Sequence, residues 1–192
     1  MEAHFFDGPL RSSSLRSLGA YANLFAIESF MDELASSAGK DPFEFRLAHL
    51  DDPRARAVVG QLRKLVRDVP TAGIAFSRYK NNGAYCAVAA EVARVANHLR
   101  VLRMWAVIDA GEVINMDGIK NQTEGGMVQS ASWTMQEQVS FDSQGSRVST
   151  GQPIPCLISA RPPRSRLPSW TARWNPRWVR VRRLRVRPRR RS

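Results

Sequence analysis

The spacing of apolar residues changes at Ala72, and that change decides which class of fold is open to this chain. Before it, apolar side chains return every three or four residues, the period of a helix packed on one side; after it they tend to alternate, as in a strand with two unlike faces. A helix is expected from about Ala22 to Ser37, with Leu24, Ile27, Phe30, Met31 and Leu34 on one apolar stripe and Glu28, Asp32 and Glu33 facing away. Gly39 supplies its C-terminal stop. Asp41-Pro42-Phe43-Glu44 reads as an N-cap, a proline at the first helical position and an acidic residue closing a capping box, so a short helix follows to Leu50. Asp52-Pro53 repeats the device and opens a third helix through Val58, Val59, Leu62 and Leu65. Its polar face carries Arg56, Arg63, Lys64 and Arg67, which read as solvated surface rather than as a binding site.

Three strands are expected next, Gly73 to Tyr79, Ala84 to Val95 and Leu99 to Ile108, the last two forming a hairpin that turns at Asn97-His98. Val113 to Gly118 reads as a loop, Ile119 to Gln136 as an amphipathic helix, and Val139 to Asp142 as a short returning strand. Helices, then an antiparallel hairpin sheet, then a further helix describe an α+β fold rather than an alternating α/β one.

Charge divides the 192 residues sharply. Residues 1–150 hold 16 basic and all 17 acidic side chains, net −1, whereas residues 151–192 hold 13 Arg, seven of the 11 Pro and no acid, so the formal charge of +12 belongs to the end of the chain. We therefore read 1–149 as one domain with a sizeable core and 150–192 as an Arg, Pro and Trp-rich tail, disordered because high charge and many prolines leave little to pack. No apolar run approaches the roughly 20 residues that span a bilayer, and no signal peptide opens the chain, so the expected location is the cytoplasm. Cys86 and Cys156 form no Cys-x-x-Cys pair. His4, His49 and His98 are scattered without metal-site spacing, and no Gly-x-Ser-x-Gly elbow occurs. No residue is assigned as a metal ligand.

The segment Asn121-Gln122-Thr123-Glu124-Gly125-Gly126-Met127-Val128-Gln129 carries the chemistry. Two adjacent glycines inside a helix cost on the order of 1 kcal/mol each relative to alanine, so they need a reason. Close packing against a strand is one; approach of helix backbone to a bulky ligand near a helix start, where free N–H groups favour anionic oxygens, is another. Spacing alone leaves both open.

Five segments occur in a set order: Arg16-Ser-Leu-Gly19-Ala-Tyr, Phe25-Ala-Ile-Glu-Ser-Phe-Met-Asp-Glu-Leu-Ala35, Asp41-Pro-Phe-Glu-Phe-Arg-Leu47, Asp109-Ala-Gly-Glu-Val-Ile-Asn115 and Asn121-Gln-Thr-Glu-Gly-Gly126. Together they resemble the second molybdopterin-binding domain of the large subunit in the xanthine dehydrogenase and aldehyde oxidase family, in its bacterial branch, over roughly Pro9 to Asp142. The resemblance implies a molybdenum pterin dinucleotide as cofactor, hydroxylation of an aldehyde or N-heterocycle with oxygen from water, and partners comprising the rest of the large subunit and a 2Fe-2S protein or domain. It implies that Arg16 and Gly19 lie beside the metal and substrate pocket. It further implies that Gln122, Glu124, Gly125 and Gly126 form the pterin-binding element, with Gln122 bonded to the pterin. Ser14-Leu15 stands where that family has Ala-Phe, which alters pocket shape, and Asn115-Met116 stands where Asn-Pro is usual, which loosens a loop.

The family's base, a Glu in a Gly-Glu-x-Pro segment beyond the Gln-x-Glu-Gly element, has no counterpart, since no Glu follows Glu137. A general base must lie within hydrogen-bond reach of the proton it takes. No catalytic residue is assigned, and the body is expected to be a slice of a larger subunit, inactive alone. The tail admits three readings: a nucleic-acid arm of interleaved Arg and Trp, a membrane-surface segment, or the product of a shifted reading frame in a G+C-rich gene. The absence of Lys and the excess of Arg and Pro favour the third.

Overall fold

The computed structural model describes residues 16–80, 82–96, 98–137, 141–142, 145–146 and 179–185. In chain order they form helices α1 (Ala20–Ser37), α2 (Pro42–Ala48) and α3 (Pro53–Val66), strands β1 (Gly73–Tyr79), β2 (Ala84–Val95) and β3 (His98–Asp109), helix α4 (Met116–Met135), and strands β4 (Phe141–Asp142), β5 (Gly145–Ser146) and β6 (Val179–Arg185). The fold is α+β. Four strands make one sheet in the order β1-β2-β3-β6, antiparallel throughout, and β4 pairs with β5.

Alternation along the strands sorts two cores. Tyr85, Ala87 and Ala89 of β2 and Trp105 and Val107 of β3 pack with Phe43, Val58, Val59 and Leu62 from α2 and α3. Their neighbours Val88, Ala90, Met104 and Ala106 point the opposite way and meet Met127 and Ala131 of α4. A helix layer thus covers each face of the sheet, as the period-2 pattern requires. Burial of Val58, Val59 and Leu62 is complete, and each such side chain contributes about 1.5–3 kcal/mol of transfer free energy.

The helix termini follow their residues. Gly39, at φ 60°, lets Gly39 N–H bond the Ser36 carbonyl and Lys40 N–H the Ala35 carbonyl, a Schellman ending of α1. The Asp41 carboxylate accepts from the N–H groups of Phe43 and Glu44, and that of Asp52 from Arg54 and Ala55. Glu44 does not complete the expected capping box but pairs with Arg63. Arg56 donates to the carbonyls of Leu47 and Leu50, and Arg67 pairs with Asp68, so the basic face of α3 is engaged locally.

Several boundaries shift. His98 belongs to β3 rather than to the turn of the hairpin, because it pairs with Val95 across a two-residue connection that opens with Ala96 at φ 54°. Helix α4 begins at Met116 rather than Ile119, since the Asn115 side chain caps it by accepting from Gly118 N–H at 2.8 Å. The segment expected to be a loop therefore contains the helix start. Of the expected strand Val139–Asp142, Phe141–Asp142 is β4, and residues 139 and 140 lie outside the described residues. Seven residues of the tail depart from the expected disorder: β6 pairs with β3, in register Met104 with Leu184 and Ile108 with Val179, supplying the hydrogen-bond partner that an edge strand otherwise lacks. The rest of the tail lies outside the described residues.

Helix α1 is rotated so that only part of its expected apolar stripe is covered. Glu28 and Asp32 turn toward Arg46; of the expected stripe Leu24 and Met31 are half-buried while Ile27, Phe30 and Leu34 are exposed, and Ala35 is the buried residue of the helix. Arg46, only 2% exposed, draws the two carboxylates to this side of the helix. Its Nε donates to Glu28 at 2.9 Å, Nη1 to Asp32 at 2.7 Å and to the Pro42 carbonyl at 3.3 Å, and Nη2 to the carbonyls of Glu28 at 3.0 Å and Ile74 at 3.3 Å. Glu28 also accepts the N–H of Phe76 at 2.8 Å. Arg46→Ala is expected to lower unfolding free energy by about 3–5 kcal/mol, because it strands the buried Glu28 carboxylate. Arg46→Lys, with three donors for five acceptors, should lose an intermediate amount. Urea denaturation followed by far-UV circular dichroism measures both.

Candidate functional site

The site lies where the start of α1, the end of β1 and the outer face of α4 meet. Met127 and Ala131 commit one side of α4 to the sheet, which leaves Gln122, Gly125, Gly126, Gln129 and Trp133 on the opposite side at helical spacing. Arg16 crosses to this stripe: its Nη1 donates to Gln129 Oε1 at 2.5 Å, and its Nη2 lies 3.8 Å from where a Cβ on Gly126 would stand.

Of the two explanations of the glycine pair, packing against a strand has no counterpart among the described residues, while an open helix face leaves room for a ligand. Among the described residues nothing lies within 4 Å of a Cβ built on Gly125, and the one close group at Gly126 is Arg16. Both also sit in the middle of α4 rather than at its start, where their N–H groups would be free. What the glycines create is a bare strip of helix on an open surface.

The residues assigned from sequence divide accordingly. Arg16 and Gly126 are brought together, and Gln122 and Gly125 share their face of α4. Glu124, two residues from Gln122, points to the other side of the helix, because i and i+2 positions do not face each other. Gly19 is the N-cap of α1 and sits 3.8 Å, measured from an added Cβ, from the Asn23 amide. Between Arg16 and Gly19, Ser17 and Leu18 take φ 78° and 52°. Such left-handed conformations cost non-glycine residues roughly 1 kcal/mol or more each, a local strain directly behind Arg16.

A cleft of about 440 Å³ opens beside Arg16, lined also by Tyr21 of α1, Arg78 and Tyr79 of β1, and Ser130 and Trp133 of α4. Tyr21 meets Trp133 edge to face at 5.1 Å between ring centroids. The Trp133 indole N–H is buried without a hydrogen-bond partner among the described residues. Sequence reasoning missed Gln129, Trp133 and Arg78. The first two could have been found by extending the Gln122 stripe by seven and eleven residues; Arg78 needed the tertiary fold.

A second network fixes the entrance to α4. Arg54 donates to both Asp109 oxygens, at 2.8 and 2.9 Å, and to the Asn82 carbonyl at 2.7 Å, while Asp109 also accepts Gly111 N–H at 2.9 Å. The Arg54 guanidinium covers the Tyr85 ring at 4.4 Å, and Tyr85 Oη donates to Asp52 at 2.6 Å. These bonds tie the end of β3, and hence the segment leading to Asn115, to the start of α3. Asp52 is held below the usual carboxylate range by the Tyr85 hydroxyl, and Tyr85 is pushed up by the same bond.

Residues 53–158 match the molybdopterin cofactor-binding domain family, more than half of the chain, and the chain belongs to that family. The match runs past the break expected at residue 150. Two curated relatives are similar to it: a subunit of the nicotinate dehydrogenase of Pseudomonas putida, 36% identical over 156 residues, and the beta subunit of the isoquinoline 1-oxidoreductase of Brevundimonas diminuta, 36% identical over 137 residues. These alignments cover 69% and 65% of this chain but 13% and 17% of the relatives, so the chain spans less than a fifth of their length. Nothing in these matches supports the nucleic-acid reading of the tail. Among the described residues no helix is long and apolar enough to cross a membrane.

Asp109 is held below its ordinary value of 3.8, chiefly by the Arg54 hydrogen bond, with Gly111 N–H adding to it and burial opposing it. A depressed folded-state value means that the stabilisation is complete above the ordinary carboxyl range and is lost as pH falls through the folded value. Thermal melts of the wild-type chain should therefore drop more steeply below about pH 4 than those of Asp109→Asn, which lacks the titrating group. Parallel melting curves down to about pH 2 would contradict this account.

Proposed function

We propose that this chain forms one wall of the molybdenum pterin pocket in a molybdenum hydroxylase, an oxidoreductase acting on aldehydes or N-heterocycles. The observation that supports it is the bare strip of α4, where Gly125 leaves 4 Å of open space and Arg16 crosses beside Gly126. The donor set fits the group: the Gln122 amide can bond a pterin edge, the strip admits close approach of a flat ring system, and Arg16 supplies charge for phosphate or oxo acceptors. When bound, that group supplies the two-electron redox chemistry. This chain's residues bind and orient it, and Gln129 holds the guanidinium of Arg16 in place.

The wall is not proposed to complete turnover by itself, because none of the residues assigned to it serves as the general base. Further parts of a large subunit and a 2Fe-2S partner that accepts electrons complete the reading, in keeping with relatives that are themselves named as subunits. Their names, nicotinate and isoquinoline, favour N-heterocycles over aldehydes as the substrate class. A cytoplasmic setting goes with it: Cys86 is a free thiol, pushed up to about 11 by burial and so held protonated. We place the boundary between domain and tail near residue 150, with β6 as a tail segment added to the sheet edge.

Gly125→Ala separates this reading from a folding role. An alanine there meets nothing, so helix stability should rise by roughly 0.8–1 kcal/mol, seen as a higher melting temperature. Pterin retained by the purified chain, measured by fluorescence after oxidation, should fall for Gly125→Ala and more strongly for Gly126→Val and Gln122→Ala. Equal pterin content in all four proteins, or none in the wild type, would overturn the proposal.

A further inference from the structure

Helix α1 carries a stripe that the described fold leaves open. Ala20, Asn23, Ile27, Phe30, Leu34 and Ser37 recur at alternating steps of three and four residues, the spacing of a helix that packs on another helix along a seam. All six are exposed, and Ile27, Phe30 and Leu34 keep 55%, 57% and 37% of their surface in solvent. A different side of the helix, with half-buried Leu24 and Met31 and buried Ala35, is the one turned toward the rest of the domain, where α1 packs on α2 and β1. Single exposed apolar residues are ordinary on a monomer; large ones aligned at helix-packing spacing mark a contact surface.

We propose that this stripe receives a second copy of the chain, two α1 helices packing antiparallel about a two-fold axis at Phe30. The spacing is self-complementary, as a two-fold contact requires. With Phe30 facing its own counterpart, Ile27 falls opposite Leu34 and Asn23 opposite Ser37. Apolar meets apolar, and the Asn23 amide can bond the Ser37 hydroxyl. Glu33, the charged residue beside the stripe, falls opposite Ala26 and not opposite a second carboxylate. The antiparallel order follows from the helix ends. No acidic side chain lies in the first turn of α1 and no basic one in its last, so an antiparallel neighbour sets each uncompensated positive end beside a negative one. Phe30 lies ten residues beyond Ala20, about 15 Å along the axis, so the two helix starts, each with its Arg16, stand about 30 Å apart and the two sites stay separate. Three large side chains per copy make a small contact, which sets the dissociation constant in the range of about 10–100 µM.

Sedimentation velocity of the full chain, from about 1 to 500 µM, should show a monomer converting to a dimer and to nothing larger. Added salt should strengthen the association, because the seam holds no ion pair while the net charge of +12 repels the two copies. Phe30→Glu sets two carboxylates face to face on the axis and should weaken the dimer at least about hundredfold. Phe25→Glu, at a site 75% exposed on another side of α1, should leave it unchanged. In a chain carrying Cys156→Ser, a mixture of Asn23→Cys and Ser37→Cys proteins should form a disulfide-linked dimer on mild oxidation, and Asn23→Cys alone should not. Circular dichroism checks that each variant folds. A monomer at every concentration, growth to larger species without a dimer plateau, equal loss with Phe25→Glu, or cross-linking of Asn23→Cys alone would overturn the proposal.

Discussion

Arg46 satisfies five acceptors with its five N–H donors, and three elements depend on that closure. Its guanidinium bonds side chains and a carbonyl of α1, the first carbonyl of α2 and the carbonyl of Ile74 in β1. Glu28, fixed by the same ion pair, accepts Phe76 N–H from that strand. The outer edge of β1 is thereby capped by side chains, and an unpaired strand edge is closed without a further strand. Net stability is not the main product of such a cluster, because desolvating the ions offsets most of their attraction. Its product is register: only one placement of α1 and α2 on β1 satisfies every donor.

That register is transmitted to the site. Arg16 sits at the turn before α1, so the angle at which α1 leaves β1 sets where the guanidinium reaches α4. The other half is set from the opposite direction, where Met127 and Ala131 lock α4 to the sheet and the Arg54–Asp109 pair fixes the segment that feeds its N-cap. The two arms meet at Arg16 and Gln129, 113 residues apart in sequence. A loop could supply a similar cation, but helices anchored at separate points hold it to a narrower range of positions.

The strands and the hairpin were legible because β2 and β3 are buried on both faces, with small and β-branched residues sorted by alternation onto α3 and α4. Helix caps were legible because Asp41-Pro42 and Asp52-Pro53 act locally. The orientation of α1 was not, since periodicity ranks its apolar stripe as the inner face and cannot anticipate an arginine on the following helix claiming that side for Glu28 and Asp32. Phe25, Ile27 and Phe30 of this helix are exposed. Within the site, Gln122, Gly125 and Gly126 could be read from one helical segment. Arg78 and Trp133 could not be placed beside Arg16 without knowing that β1 ends there, and the pairing of Arg54 with Asp109 spans 55 residues that no local pattern connects.

Lys80 and Ala96, at φ 44° and 54°, set local preference against the observed structure at the turns on either side of β2; near the candidate site, glycine in α4 and left-handed backbone at Ser17 and Leu18 do the same. Both flank the same guanidinium. In α4 the opposition comes from missing side chains, which lowers helix propensity by on the order of 1 kcal/mol per glycine; before α1 it comes from backbone that side-chain-bearing residues disfavour. A fold selected for stability alone would fill Gly125, where space is free, and would relax the turn at Ser17. The helix caps, the Schellman ending, the strand alternation and the core burial agree with one another. The conflicts beside Arg16 fall on the surface proposed above to meet a ligand, where departures from local preference are expected to concentrate.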